Sequence, residues 1–245
     1  MSFYPVFLEL LERKVLLVGG GRVTREKVGR LLEAGADLTV VAPELHPDLH
    51  RLAEAGDFVW LPRHFEAQDT SECFLVVSAT DDGSVNRSVA DAARASGALV
   101  NAADDVENCD YILPSVVSRG RITLAASTGG SSPAMARWLR GRLEESLTEE
   151  VVALADLVAE ARWEARERVS ICASRCQRTA TPPPLSCRDC PNTISADTWQ
   201  EAMCPAVLDL LGASRVDEAR SQLRQRLGFD APLQEVSWWI EERAT

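Results

Sequence analysis

The sequence predicts an α/β protein with an N-terminal parallel sheet, a small central segment and a helical C-terminal domain. Short apolar segments alternate with helical segments over residues 1–113, which is the pattern of a parallel sheet covered by helices on both faces. Residues 114–147 combine two strand-like segments with one helix. Amphipathic patterns of helical period dominate residues 148–245, which also contain a loop with several cysteines.

The N-terminal part contains five predicted strands with helices between them. The strands are Val15–Val18, Leu38–Val41, Phe58–Leu61, Phe74–Ser78 and Ala98–Asn101. Helical patterns cover Thr24–Ala34 and Ser84–Ser96 in particular. Ligands of such sheets bind at the carboxyl ends of the strands, so the residues that follow each strand are the candidates for a site.

The central segment begins with two strand-like pieces, Ile112–Val117 and Ile122–Ala126, that flank a basic turn. A helix is predicted over Met135–Leu147, with Ser132 as its N-cap and Pro133 at its first position. Further helices are predicted over Thr148–Val169, Ser195–Leu211 and Ser214–Leu227. In the last of these, the pair formed by Ser214 and Asp217 resembles a capping box.

The composition is that of a soluble, acidic protein. Hydrophobic residues make up 46% of the chain, the formal net charge is −11, and the mean hydropathy is −0.09. This charge argues against a nucleic-acid-binding surface, and no apolar run reaches the ~20 residues that span a bilayer. The N-terminus lacks the basic and apolar regions of a signal peptide. We therefore expect a cytoplasmic protein with no nucleic-acid and no membrane partner.

Three consecutive glycines follow the first strand and precede the first helix. Gly19 and Gly21 match the first two glycines of GxGxxG, with Gly20 between them and Thr24 at the third position. Such a turn lets backbone N–H groups and a helix N-terminus approach a pyrophosphate; the alternative is an ordinary tight turn. The acidic residue that usually holds an adenosine ribose is missing at the end of the second strand, where Glu44 comes slightly late. NAD and NADP both remain open.

Two acidic clusters also follow predicted strands. Ser78–Asp82 could contact a cofactor or could be an ordinary helix N-cap with an acidic first turn. Asn101–Asp105 could supply a general base beside a nicotinamide or could be a solvated turn. Further along, the segment STGGSSP (Ser127–Pro133), with arginines on the helix behind it, could form an anion pocket or a glycine-rich turn.

Several of these motifs, in one order, resemble a known family. The segments YPVFLEL, VLLVGGGRVTREKV, FLVVSATDD, LVNAADD and ASTGGSSPAMARWLR are similar to the siroheme synthase N-terminal family over residues 3–147. The resemblance implies NAD-dependent oxidation of precorrin-2 to sirohydrochlorin, followed in many members by insertion of ferrous iron to give siroheme. It also implies a Rossmann domain over 1–113, a dimerisation segment over 114–147, a helical domain over 148–245 and a homodimer.

The resemblance assigns roles by position. The residues implied to bind NAD follow the first, second and fourth strands: Gly19, Gly20, Gly21, Arg22, Val23, Pro43, Glu44, Thr80 and Asp81. The aspartate implied in both dehydrogenation and chelation falls on Asp104, and the residues implied near the tetrapyrrole are Asn101 and either Ser127 or Thr128. The substrate is a polycarboxylate, so we expect local cations to bind it: Arg119, Arg121, Arg137 and Arg140.

Four cysteines are not explained by the resemblance. They are Cys172, Cys176, Cys187 and Cys190, two ligand-like pairs around a proline-rich loop. Paired thiolates can hold zinc or an iron–sulfur cluster; the alternatives are reactive or disulfide-forming thiols, or cysteines without a role. The function also has alternatives: a dehydrogenase without chelatase activity, or a non-catalytic redox or metal sensor that uses NAD.

Overall fold

The computed structural model describes residues 3–103, 108–175 and 193–231, without the side chains of 172–175. The chain divides into two compact units. The N-terminal unit comprises Met1–Pro114 and Ser127–Ala136, and the C-terminal unit comprises Ser115–Ala126 and Arg137–Thr245.

The N-terminal unit is built on a five-stranded sheet in which all paired strands are parallel, as predicted. Its strands are β1 (Lys14–Val18), β2 (Asp37–Val41), β3 (Val59–Leu61), β4 (Leu75–Ser78) and β5 (Leu99–Ala102). The spatial order is β3-β2-β1-β4-β5. The chain moves outward from β1 through β2 to β3 and then returns to the other side of β1. The strand order therefore reverses between β1 and β4, and ligands of open α/β sheets bind at such a point.

Helices cover both faces of this sheet. They are α1 (Arg22–Glu33), α2 (Pro47–Ala55) and α3 (Gly83–Ser96), with a short 3-10 helix over Ala67–Thr70 between β3 and β4. Side chains alternate along β1: Leu17 packs in one core with Val28 of α1 and Leu49 of α2, whereas Leu16 packs with Val89 of α3. These side chains are almost completely buried, and each contributes roughly 2 kcal/mol of hydrophobic stabilisation.

The sequence predictions give no bounds for helix α2, although its start carries a recognisable signal. His46 is the N-cap and its Nδ1 accepts a hydrogen bond from the Asp48 N–H at 3.2 Å. Pro47 occupies the first helical position, where its missing N–H costs nothing. Gly56 ends the helix in the left-handed conformation.

The C-terminal unit contains an antiparallel hairpin and a helical core. The hairpin consists of β6 (Ser115–Arg119) and β7 (Ile122–Ala126), so its first strand lies later than predicted. The helices that follow are α4 (Pro133–Ser146), α5 (Glu149–Arg175), α6 (Ala196–Ala202), α7 (Pro205–Gly212) and α8 (Val216–Arg226). Leu154 and Leu157 of α5 pack with Val207 and Leu211 of α7 and with Leu223 of α8.

Two predictions about this unit are wrong. Residues 195–211 form two helices rather than one, because Pro205 has no N–H to continue a helix and Cys204 before it is extended. The capping box of Ser214 and Asp217 does not form: Ser214 has a φ of 58° and Arg215 is the N-cap of α8. The predicted cap of α4 is confirmed, since Ser132 Oγ accepts from the Met135 N–H at 3.2 Å. None of the described helices has the length and apolar character needed to cross a membrane.

Candidate dinucleotide-binding site

The glycine turn after β1 is packed against the ends of both neighbouring strands. The Gly19 N–H donates to the Val41 carbonyl at the end of β2, at 2.9 Å. Gly19 has a φ of 115°, and a Cβ there would lie 2.3 Å from the Ala79 carbonyl oxygen. A Cβ on Gly20 would lie 1.9 Å from the Glu44 carbonyl oxygen. Both positions therefore require glycine for the turn to form at all.

Gly21 is different, because the space beside it is open. It is the N-cap of α1 with an extended backbone, and a Cβ there would meet no atom of the described residues within 4 Å. Arg22 and Val23 follow in the first turn and are exposed. The first turn of this fully described helix contains no acidic side chain. Open N–H groups at the positive end of a helix dipole can receive the phosphates of a dinucleotide.

Thr24 occupies the position of the third glycine and is completely buried. Its hydroxyl donates to the Gly19 carbonyl at 2.8 Å. The first turn of α1 is thereby tied to the glycine turn by a side chain that a glycine could not supply.

The residues after β2 form a second side of this candidate site, next to the glycine turn. Pro43 and Glu44 are exposed, and the His46 N–H donates to the Gly20 carbonyl at 2.7 Å. The glycine turn and the chain after β2 are therefore held together by backbone hydrogen bonding. The described residues Val41–Pro43 present no carboxylate for a ribose, so the choice between NAD and NADP stays open on this geometry.

The loop after β4 supplies the third side. Thr80 is partly buried and Asp81 is exposed. Asp82 is the N-cap of α3, and the hydroxyl of Ser84 with the N–H groups of Ser84 and Val85 holds the pKa of its carboxyl below the ordinary value. A helix N-cap in this cluster is thus confirmed, whereas the acidic first turn expected with it is absent from α3. Asn86, which follows this cluster in the sequence, has its amide buried against the loop.

At the end of β5, polar groups are bonded to one another. Asn101 is buried and its Nδ2 donates to the Tyr111 carbonyl at 3.0 Å. The Cys109 thiol accepts from the Ala102 N–H and donates to the Ala102 carbonyl, both at 3.2 Å. These contacts join the two ends of a loop whose residues 104–107, including Asp104, lie outside the described residues.

Ser127 and Thr128 lie in the loop that leads into α4. Ser127 Oγ accepts from the Gly129 N–H at 3.1 Å, and Thr128 Oγ1 accepts from the Ser132 N–H at 3.2 Å. Gly129 and Gly130 have φ values of 62° and 85°, which this turn requires.

The four arginines expected to bind carboxylates differ in their surroundings within the C-terminal unit. Arg119 Nη1 donates to the Leu147 carbonyl at 2.8 Å, and Arg121 forms an ion pair with Asp156 at 3.0 Å. Arg137 and Arg140 are exposed on α4. Two of the four guanidinium groups are therefore already engaged with the protein itself.

Two family models match the chain in sequence order. A model described as "Putative NAD(P)-binding" matches residues 6–115, and one described as "Sirohaem biosynthesis protein central" matches residues 119–146. The first covers the five-stranded sheet with the glycine turn, and the second covers β7 and α4. The resemblance to the siroheme synthase N-terminal family is confirmed.

Curated siroheme synthases align with the same part of the chain. The siroheme synthase of Actinobacillus pleuropneumoniae serotype 3 is 39% identical over 163 residues, which is 66% of this chain and 33% of the relative. That of Chromobacterium violaceum is 48% identical over 144 residues, 59% of this chain and 31% of the relative. The chain thus spans about a third of the length of the curated relatives it matches.

A solved structure shares the fold of this chain. The protein named SirC, precorrin-2 dehydrogenase, superposes with a TM-score of 0.64 at 24% identity, covering 91% of this chain and 100% of that one. The Rossmann-like N-terminal fold and the helical C-terminal segments predicted from the sequence are confirmed.

The four cysteine side chains of the expected metal site lie outside the part of the chain that the structure describes. They are those of Cys172, Cys176, Cys187 and Cys190. Within the part of the chain that the structure describes, no group of three or more His, Cys, Asp or Glu side chains could hold a metal ion.

Proposed function

We propose that this chain oxidises precorrin-2 to sirohydrochlorin with NAD as the hydride acceptor. The observation that carries the proposal is the glycine turn at the strand reversal. Gly19 and Gly20 are closed in by the backbone of Ala79 and Glu44, while Gly21 leaves open space at the N-terminus of α1. The matches to the two family models support the proposal, as do the names of the similar proteins, siroheme synthase and precorrin-2 dehydrogenase.

The residues around the turn fit a dinucleotide. We assign the pyrophosphate to the first turn of α1, with Gly19, Gly20, Gly21, Arg22 and Val23. We assign the remaining contacts to residues after β2 and β4: Pro43, Glu44, Thr80 and Asp81. When bound, the nicotinamide accepts the hydride that the macrocycle loses.

Asp104 is the proposed general base. Loss of a hydride from the tetrapyrrole must be accompanied by loss of a proton, and a carboxylate after β5 can accept it. Asn101 and Ser127 or Thr128 would contact the same substrate. Among the arginines, Arg137 and Arg140 are the stronger candidates for its carboxylates, because Arg119 and Arg121 already have partners in the protein.

Insertion of ferrous iron into sirohydrochlorin is the proposed second activity. Iron is a substrate here, and its entry requires two pyrrole N–H groups to lose their protons. Asp104 would accept these protons one at a time and release each to water before accepting the next, in a step that follows oxidation.

The remaining features are also proposals. We propose a cytoplasmic homodimer with a dimerisation segment over 114–147, between the Rossmann domain over 1–113 and the helical domain over 148–245. A structural zinc ion or iron–sulfur cluster at Cys172, Cys176, Cys187 and Cys190 is proposed from their spacing alone. Elemental analysis of the purified protein that finds neither zinc nor iron would remove this part.

The activity is tested by anaerobic incubation of the protein with precorrin-2 and NAD, followed by absorbance. We expect sirohydrochlorin to appear, and siroheme to form faster than without protein once ferrous iron is added. Asp104→Ala should abolish oxidation, and Asp105→Ala, a substitution in the adjacent carboxylate, should retain it. Sirohydrochlorin without accelerated iron insertion would leave a dehydrogenase only. Absence of oxidation by the unmodified protein would favour a sensor over an enzyme.

A further inference from the structure

Asn86, in the first turns of α3, makes a two-sided contact with the loop after β4. Its Nδ2 donates to the Thr80 carbonyl at 2.9 Å, and its Oδ1 accepts from the Thr80 N–H at 3.2 Å. The side-chain amide therefore pairs with both backbone polar groups of one residue, as a neighbouring strand would. Asn86 is only 7% exposed, so water does not replace these contacts readily.

Two hydroxyl groups complete the contact. Ser78 Oγ donates to Asn86 Oδ1 at 2.5 Å, and Thr80 Oγ1 lies 2.8 Å from the same oxygen. Ser78 is completely buried at the end of β4. Oδ1 must face the Thr80 N–H and Nδ2 must face the Thr80 carbonyl, because a backbone N–H can only donate and a backbone carbonyl can only accept.

The loop that Asn86 holds in this way, Ser78–Thr80, packs directly against the glycine turn. The Ala79 N–H donates to the Val18 carbonyl at 2.8 Å, and the Ala79 carbonyl faces Gly19 so closely that a Cβ would lie 2.3 Å from it. Thr80 follows directly. A change in the backbone of Thr80 would therefore move the group that limits the space beside Gly19.

We propose that Asn86 is a positioning residue for dinucleotide binding. Its amide fixes the backbone of Ser78–Thr80 so that this loop and the glycine turn form a crevice of the correct width before the cofactor arrives. Asn86 itself is buried behind the loop and acts through Thr80. The inference rests on the proposed function, since it concerns the same cofactor site.

The test compares two substitutions at Asn86 with two controls on the same helix. Asn86→Asp keeps the shape but replaces the donor to the Thr80 carbonyl with an oxygen, and Asn86→Ala removes the amide. Asp91→Asn exchanges the same two groups at an exposed position of α3. Val89→Ala makes a cavity in the apolar core between α3 and the sheet and leaves the hydrogen bonds of Asn86 in place, so it lowers the melting temperature for a different reason.

The measurements are the dissociation constants for NAD and NADP, by titration calorimetry, and the melting temperature of the full chain. We expect Asn86→Asp and Asn86→Ala to raise the dissociation constant about tenfold, because buried polar groups of the loop lose their partners. Val89→Ala should lower the melting temperature with no more than a roughly twofold change in binding. If Asn86→Ala does not fold, Asn86→Asp carries the test.

Unchanged binding in a folded Asn86 variant would overturn the positioning role. The positioning role would also be rejected if Val89→Ala weakened dinucleotide binding as much as Asn86→Asp, because the loss of affinity would then follow from lower stability alone. Failure of the unmodified protein to bind either dinucleotide would overturn the proposed function as well. The two failures are therefore distinguished by the unmodified protein.

Discussion

A Cβ on Gly20 would lie 1.9 Å from the carbonyl oxygen of Glu44, inside the contact distance of any two heavy atoms. At the next residue, Gly21, a Cβ would meet no atom of the described residues within 4 Å. Two adjacent glycines thus serve different purposes. Gly20 is required by the fold, whereas the space beside Gly21 is free for a ligand.

Substitution of each of these glycines by alanine should separate folding from binding. Gly20→Ala forces the Glu44 backbone to move and should cost more than about 3 kcal/mol of unfolding free energy. Gly21→Ala has room and an extended backbone, so its stability should change by less than about 1 kcal/mol. Its methyl group would nevertheless lie where the pyrophosphate approaches, and we expect roughly tenfold weaker dinucleotide binding. Urea unfolding and calorimetric titration measure the two effects; a stable Gly21→Ala variant with full affinity would exclude this position for the phosphates.

The contribution of Thr24 to the unfolding free energy should come more from its hydroxyl than from its methyl group. Thr24→Val leaves the Gly19 carbonyl without its 2.8 Å donor in a completely buried place, which should cost about 1–3 kcal/mol. Thr24→Ser retains the hydroxyl and should cost less than Thr24→Val. The order of the two unfolding free energies is the readout, and the reverse order would show that packing of the methyl group dominates.

Asp69 should contribute stability that is lost at acidic pH. The Arg63 guanidinium binds both of its carboxylate oxygens, at 2.9 and 2.6 Å, and holds the pKa of Asp69 below its ordinary value of 3.8. Because the folded-state pKa is lowered, this contribution is present above pH 3.8 and disappears as the pH falls through the folded value. Asp69→Asn should therefore be less stable than the unmodified protein near neutral pH, by about 1–2 kcal/mol, with the difference shrinking below pH 3.8. The test is to measure melting temperatures of the unmodified protein and Asp69→Asn across this pH range, with Asp57→Asn at an exposed position as the control. A stability difference between Asp69→Asn and the unmodified protein that does not change with pH would contradict the role of the ion pair.

Substitution by alanine should lower stability at Arg119 and weaken substrate binding at Arg137. Arg119→Ala removes the donor to the Leu147 carbonyl and should destabilise the C-terminal unit by about 1 kcal/mol. Arg137→Ala, at an exposed position, should leave the melting temperature almost unchanged and raise KM for precorrin-2. Thermal melts and steady-state kinetics on both variants test this. Equal KM values for Arg137→Ala and the unmodified protein would remove Arg137 from the substrate site.

The sheet could be predicted from the sequence because its central strands β1, β2 and β4 are mostly buried on both faces. The predicted strand Val15–Val18 lies entirely within β1, and Leu38–Val41 lies entirely within β2. Such continuous apolar runs are typical of parallel strands covered by helices. Pro205 marks the break between α6 and α7 in the sequence, but the apolar pattern on both sides of it predicts one continuous helix.

The contacts of Asn86 and Thr24 could not be predicted in the same way. Both depend on the distance between a helix side chain and the backbone at the end of a strand. The periodicity of apolar residues in the sequence does not indicate this distance. Asn86 follows Thr80 by only six residues, yet nothing in that spacing shows which polar groups the fold brings within 3 Å. The glycine turn was identifiable because the backbone geometry itself demands the residue type.

The central claim is that precorrin-2 is oxidised at a dinucleotide site formed by the glycine turn. The most direct measurement is the amount of NADH formed per precorrin-2 consumed under anaerobic conditions, for the unmodified protein and Gly21→Ala in parallel. The account predicts equal amounts of NADH and sirohydrochlorin from the unmodified protein, and a strongly reduced rate for Gly21→Ala at subsaturating NAD. Sirohydrochlorin formed without NADH, or at the same rate by both proteins, would contradict it.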